Sequence, residues 1–273
     1  MKLQTPLTGL LIISLFAGPA HAQTTFFEET WEANNFNQWK QPVHSRTNII
    51  NDNSNYPGGR RGVKAVQSLY RKGTIDGGGF GLIKLGGFFL PPHFRVEFAF
   101  KFSSPFTCPM WQKMWRASTD MSGNGTPGID NYTDNELGSC ANFQVLYISR
   151  SSAFGMQHHV LNTNVGSLTL NTWHKIAYEY KKNTFTGSEP NSDGEIKVYF
   201  RDQLIGTKSD IRLTANPTTW LRDFWGGPGN YTSRVNNRPI VQDQWITVDN
   251  FRIIDLASPS PSPMLPVAPA GLP

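Results

Sequence analysis

The chain has 273 residues, with 25 lysines and arginines against 20 acidic residues, for a formal net charge of +5. That excess is too mild for a nucleic-acid reader, whose basic residues cluster densely, but it leaves room for an acidic polysaccharide partner. The 25 glycines, 18 phenylalanines and 8 tryptophans, without long helical periodicity, favour a single all-β sandwich or barrel over a helical bundle.

Residues 1–22 read as an export signal. Lys2 gives a positive start, residues 7–16 are apolar, and Ala20-His21-Ala22 fits the small-x-small cleavage rule. The apolar core is too short for a membrane span, and no later segment replaces it. Cleavage after Ala22 leaves 24 basic and 20 acidic residues, a net +4, in a secreted or periplasmic protein expected to act as a monomer. In an oxidising compartment Cys108 and Cys140 suit a disulfide. It would staple the Gly/Asn/Asp-rich insert 121–138 to the sheet, a loop-closure gain of about 3–4 kcal/mol. Two buried free thiols are the alternative.

The body of the chain, 23–256, reads as one domain. Phe26, Phe27, Trp31, Phe36 and Trp39 anchor an edge strand at its start, and 51–62 is a polar loop. Residues 63–70 form a strand. Residues 95–102 form the clearest one, with Val96, Phe98, Phe100 and Phe102 on one face and Arg95, Glu97, Ala99 and Lys101 on the other. A segment with Trp111, Lys113, Trp115 and Arg116 follows, then the insert, then strands at 142–149 and 155–161. The stretch 173–207 holds a strand, a polar turn and a second strand in which Ile196, Val198 and Phe200 alternate with polar residues. Arg201-Asp202-Gln203 makes another tight reversal. The glycine-rich 223–229 reads as a loop, and 244–254 as the closing strand. Beyond 256 the Pro/Ser-rich sequence is a disordered or polyproline tail.

This order of features is similar to that of a known family. The F-x-F-K-F strand, the lysine segment, W-H-K-I-x-Y-E-Y-K-x-N, N-S-D-G-E-I-K-V-Y-F, a W-G-G loop and a final I-T-V-D-N-F-R-I together resemble the concanavalin-A-like jelly roll. The branch resembled holds the alginate and glucuronan lyases, over about residues 26–255. The resemblance implies a two-sheet antiparallel β-sandwich whose concave polar sheet forms a groove for a sugar chain. Carried across position by position, the family's lysine is Lys113 and its polar pair is Asn142 and Gln144. The third strand offers Gln157 and His159. The Ser-x-Arg and Tyr-x-Tyr pairs of those lyases do not occur at these positions.

β-Elimination from a uronate removes the proton at C5 and expels the oxygen at C4, so the carboxylate must be neutralised as charge develops. Lys113 or Arg116 would do this, with Gln144 and Gln157 assisting. His159 would be the base, since imidazole titrates near neutral pH. Tyr147 or Tyr178 would be the acid. Trp111 and Trp115 would line the groove with Asn142 and Arg95, although tryptophans four apart also suit a core, and Arg95 also suits a solvated face. No cofactor is required. A structural calcium is the metal considered, with Glu28 or Glu29 and Asp249 as hard ligands; ordinary edge hydrogen bonding is the alternative. A non-catalytic carbohydrate-binding protein is the competing function. Glycoside hydrolysis ranks third, because it needs a close carboxylate pair and the strand acids Glu97, Glu179 and Glu195 are isolated.

Overall fold

The computed structural model describes residues 24–39, 45–54, 62–73, 81–84, 89–106, 112–118, 128–134, 144–150, 160–164, 168–214, 217–218, 223–230 and 241–257. In chain order the strands are β1 (Thr24–Glu29), β2 (Thr47–Asn51), β3 (Lys64–Tyr70), β4 (Gly81–Lys84), β5 (His93–Phe102), β6 (Gln112–Ser118), β7 (Gly128–Asp134) and β8 (Gln144–Arg150). They continue as β9 (Val160–Asn164), β10 (His174–Lys181), β11 (Phe185–Thr186), β12 (Glu189–Pro190), β13 (Gly194–Phe200), β14 (Gln203–Ile211), β15 (Asp223–Asn230) and β16 (Gln244–Asp255). Among the described residues every regular element is a strand, and no helix is long and apolar enough to cross a membrane.

The strands form two main antiparallel sheets, the architecture of a jelly-roll sandwich. The larger has eight strands in the order β14-β13-β10-β5-β16-β3-β2, with β1 also on β16; the smaller has six, β4-β15-β6-β7-β8-β9. The larger sheet follows the period-two pattern closely. Phe94, Val96, Phe98, Phe100 and Phe102 of β5 are buried on one face, beside Ile176, Tyr178 and Tyr180 of β10 and Ile196 and Val198 of β13. Phe98 stacks on Phe251 with ring centroids 5.7 Å apart, and Trp39 meets Phe251 edge-on at 5.9 Å. β5 and β16 occupy the middle of this sheet. The 173–207 hairpin forms one side of it, ending in β14 at the edge.

The turns obey local chemistry. Arg201 and Asp202 both have positive φ (50° and 62°) and join Phe200 to its partner Gln203, the backbone form a two-residue hairpin requires. The longer turn between β10 and β13 folds into the β11–β12 ribbon. It is fastened by Asp193, which accepts the Thr184 N–H at 2.7 Å and the Thr184 hydroxyl at 2.6 Å. Buried Asn183 accepts the N–H groups of Leu213 and Thr214 at 2.9 and 2.8 Å, so the far end of β14 is tied back to β10.

One expectation fails here. The stretch 223–229 is not a loop: β15 pairs with both β4 and β6 inside the smaller sheet. Its register slips between Gly226 and Gly229, so Gly227 and Pro228 sit where no ladder N–H is required. The insert 121–138 contains β7, which is paired on both sides, with β6 and β8. Of the strand read at 155–161, residues 160–161 belong to β9 (Val160–Asn164), and 155–159 lie outside the described residues.

Candidate functional site

The smaller sheet positions the chemistry-bearing residues by register. Lys113 of β6 pairs with Tyr132 of β7 on one side and Gly229 of β15 on the other; Tyr132 pairs in turn with Leu146, and Leu146 with Asn162. Two residues along β7, Asp130 pairs with Arg116, which also pairs with Trp225. Two residues the other way, Asp134 pairs with Gln144, and Gln144 with Asn164. Alternate rows of a pleated sheet share a face, so Lys113, Arg116, Tyr132, Gln144, Asn162 and Asn164 belong to one face.

A bulge makes this possible. Lys113 and Arg116 are three apart, a spacing that would put them on opposite faces of a regular strand. The register shift between Lys113 and Trp115 leaves Met114 as the extra residue, opposite no residue of β7. Lys113 and Arg116 therefore match Tyr132 and Asp130, which are two apart.

The register brings together some of the expected residues and separates others. Lys113, Arg116 and Gln144 share a face. Tyr147 pairs with Asn131, and Asn131 with Trp115, so Tyr147 and Trp115 occupy the alternate face, away from Lys113. The reason is parity: Gln144 and Tyr147 are an odd number of residues apart on an unbroken strand. Arg95 is on the other sheet altogether. Tyr178, the second acid considered, is fully buried on the core face of the larger sheet, and burial pushes its phenol far above the ordinary value. Tyr132 is the residue that sequence reasoning missed. It lies on β7, inside the Gly/Asn/Asp-rich insert, where the sequence reading placed no strand. Trp111, Asn142, Gln157, His159, Cys108 and Cys140 lie outside the described residues, as do the leader and the tail beyond Ala257.

Arg95 has a different task. Its guanidinium donates to Glu179 at 2.7 Å, and His93 Nε2–H donates to the same carboxylate at 3.0 Å. Burial pushes the Glu179 carboxyl up, but the bonds and charges of His93 and Arg95 overcome it and hold the group at about 2. Tyr199 donates its hydroxyl to Glu179 at 3.3 Å, and Arg95 stacks over the Tyr199 ring at 4.6 Å. Glu97 is likewise paired with Arg252. Lys101, nearly buried, donates to Asp52 and to Ser54, and lies 5.1 Å from the Trp173 ring centroid. Arg95, Glu97 and Lys101 are therefore structural groups of the larger sheet, neither solvated nor close to Lys113 in the register.

Of the carboxylates considered for calcium, Glu29 and Asp249 lie on opposite faces of the larger sheet, while Glu28, opposite Arg252, is on the face of Asp249. Glu29 pairs with Phe251, on the core face, and one of its oxygens accepts the Trp31 N–H at 2.7 Å. Asp249 pairs with Ala99, on the other face, and accepts the N–H of Asn250 at 2.7 Å. Among the described residues no three histidine, cysteine or acidic side chains converge as metal ligands.

With this arrangement in view, comparison with solved structures is informative. An alginate lyase of the PL-14 group from Aplysia kurodai superposes with a TM-score of 0.58 at 13% identity, covering 84% of this chain and 98% of that one. An endo-β-1,4-glucuronan lyase from Trichoderma reesei gives 0.57 at 11%, covering 87% and 98%. An alginate lyase from Chlorella virus gives 0.52 at 15%, covering 77% and 93%. The fold is the jelly roll of these lyases. No family model matches the sequence, and no curated protein does. The resemblance in strand order is thus matched by resemblance in backbone, at identities that speak for the fold alone.

Proposed function

We propose that this is an exported polysaccharide lyase-like protein that cleaves a uronate-containing chain by β-elimination on the smaller sheet. The observation that carries the reading is the direct pairing of Lys113 with Tyr132, on the face shared with Arg116 and Gln144. A cation and a phenol side by side are the two kinds of group the reaction requires. The cation neutralises the carboxylate while negative charge builds toward the enolate, and Gln144 adds a hydrogen bond to it. The phenol relays the proton, taking it from C5 or delivering it to the departing C4 oxygen. In this reading Tyr132 takes the acid role first given to Tyr147. His159 stays the candidate base.

The test is absorbance near 235 nm, where the unsaturated uronate end absorbs, with alginate and glucuronan as substrates. Growth of that signal with the mature protein, and its loss in Lys113→Ala and Tyr132→Phe, is the expected result. Retention of the protein on a uronate gel with no absorbance change from either polymer would decide for the non-catalytic binder.

A further inference from the structure

We infer that Trp225 of β15 is a stacking platform for the sugar ring next to the one that is cleaved, recognising that ring by its flat face and not by its charge. That the chain is a uronate polymer rests on the proposed function; the place of the platform does not. The register divides the smaller sheet into two unlike faces. Every charged residue of its six strands, from Lys84 of β4 to Arg150 of β8, falls on the face of Lys113. The alternate face carries Ile83, Trp115, Ala117, Ile129, Leu161 and Phe224 and no charge. Sandwich sheets pack through such apolar faces, so the charged face is the one left for a ligand. By pattern an aromatic belongs on the apolar face, and Phe224 obeys; Trp225 is placed among the charges instead.

Trp225 pairs with Arg116 on one side and Leu82 on the other, and Arg116 pairs with Asp130. This row lies two residues of β7 from the row of Lys113 and Tyr132, and Trp225 is one strand over from Lys113. On an ordinary pleat that diagonal is about 8 Å, within reach of the next ring of a chain whose cleaved ring lies over Lys113. β15 puts little side chain between the two places. Gly229 is opposite Lys113, Gly226 follows Trp225, and Gly227 and Pro228 make up the register slip. Glycines inside a strand mark places where another molecule comes close to the backbone. Arg116 and Asp130 are opposite charges at paired positions, so their row adds no net charge. What it adds is the indole, whose flat apolar face matches the C–H face of a pyranose. Charge recognition thus belongs to the row of Lys113 and ring recognition to the row of Trp225. The groove-lining role expected of Trp115, which the register puts on the alternate face, passes to Trp225.

The experiment compares the mature full-length parent with Trp225→Ala, Trp225→Leu and Trp225→Phe on alginate and glucuronan, following absorbance near 235 nm. Trp225→Ala should raise KM about tenfold and change kcat far less, and Trp225→Phe, which keeps an aromatic face, should recover most of the loss. Salt should weaken binding by parent and variant alike and leave their ratio unchanged, because stacking is not screened. A KM of Trp225→Ala equal to the parent's at unchanged melting temperature overturns the inference, as does a ratio that closes toward one in high salt. Should Trp225→Ala fail to fold, Trp225→Leu keeps apolar bulk without an aromatic face, and a parent-like KM there overturns it. Absence of cleavage by the parent removes the proposed function and leaves the platform to be decided by native gels containing the same polymers. Retardation of the parent that is weakened in Trp225→Ala then supports it, whereas equal retardation, or none by the parent, overturns it.

Discussion

The larger sheet is sealed on both faces along β5, whereas the smaller sheet sets a lysine, an arginine, a tyrosine and a glutamine on one face of a ladder bent by a bulge. In the larger sheet ionic groups neutralise one another: Glu179 with Arg95 and His93, Glu97 with Arg252, Lys101 with Asp52. A cation already holding a buried carboxylate cannot neutralise a substrate without leaving that carboxylate unpaired, at a cost of about 3–5 kcal/mol. The difference teaches where to look for chemistry: away from the cations that hold the carboxylates of the larger sheet.

That contrast can be broken or sharpened by mutation. The largest expected effect is Lys113→Ala, which should lower uronate cleavage about 10³-fold with a nearly unchanged melting temperature, since in the proposed reading it removes transition-state stabilisation. Tyr132→Phe should lower kcat about 10²-fold, while Tyr147→Phe, on the alternate face, should leave kcat nearly intact; the reverse order would discard the register argument. On the larger sheet the effects should fall on stability. Glu179 is held at about 2 when folded against an ordinary value of 4.5, so its contribution is present above pH 4.5 and is lost as pH falls toward 2. Glu179→Gln should cost on the order of 2–3 kcal/mol at pH 7 and flatten the acid limb of stability measured by urea unfolding. Asn183→Ala should cost about 2 kcal/mol by stranding the N–H groups of Leu213 and Thr214.

The smallest effect belongs to His174. Burial holds its imidazolium form down, its Nε2–H donates to the Thr169 carbonyl at 3.0 Å, and Arg201 donates to its Nδ1 at 3.0 Å. The folded state thus favours neutral histidine, and the unfolded chain takes up the proton first. Stability should decline as pH falls below the ordinary 6.5, and the decline should disappear in His174→Gln.

How much of this was legible in the sequence follows the same division. The larger sheet was readable because Phe94 to Phe102 and Ile196 to Phe200 alternate without interruption, so one face declares itself. The jelly-roll architecture was readable from the order of those strands. In the smaller sheet β8 was readable as the strand at 142–149, but β7 and β15 were not, because they are built from Gly, Asn, Asp and Pro, which propensity assigns to turns; pairing on both sides overrides that preference. Tyr132 was lost with β7. Lys113 and Arg116 could not be placed on one face from spacing, because a bulge leaves no mark in the sequence beyond the residues around it. The charges of β5 were visible, yet their partners Glu179, Arg252 and Asp52 are far away in sequence.

β16 carries a consequence for how the molecule comes into being. Its first half is flanked by β3 and its second half by β1, with β5 along the other side and the changeover near Asn250, whose φ is 49°. β1, and the β2–β3 pair, therefore join β5 and β10 only through residues 244–255. Closing the larger sheet thus depends on contacts between residues far apart in the chain, and should run on the slow timescale of high contact-order proteins, milliseconds to seconds.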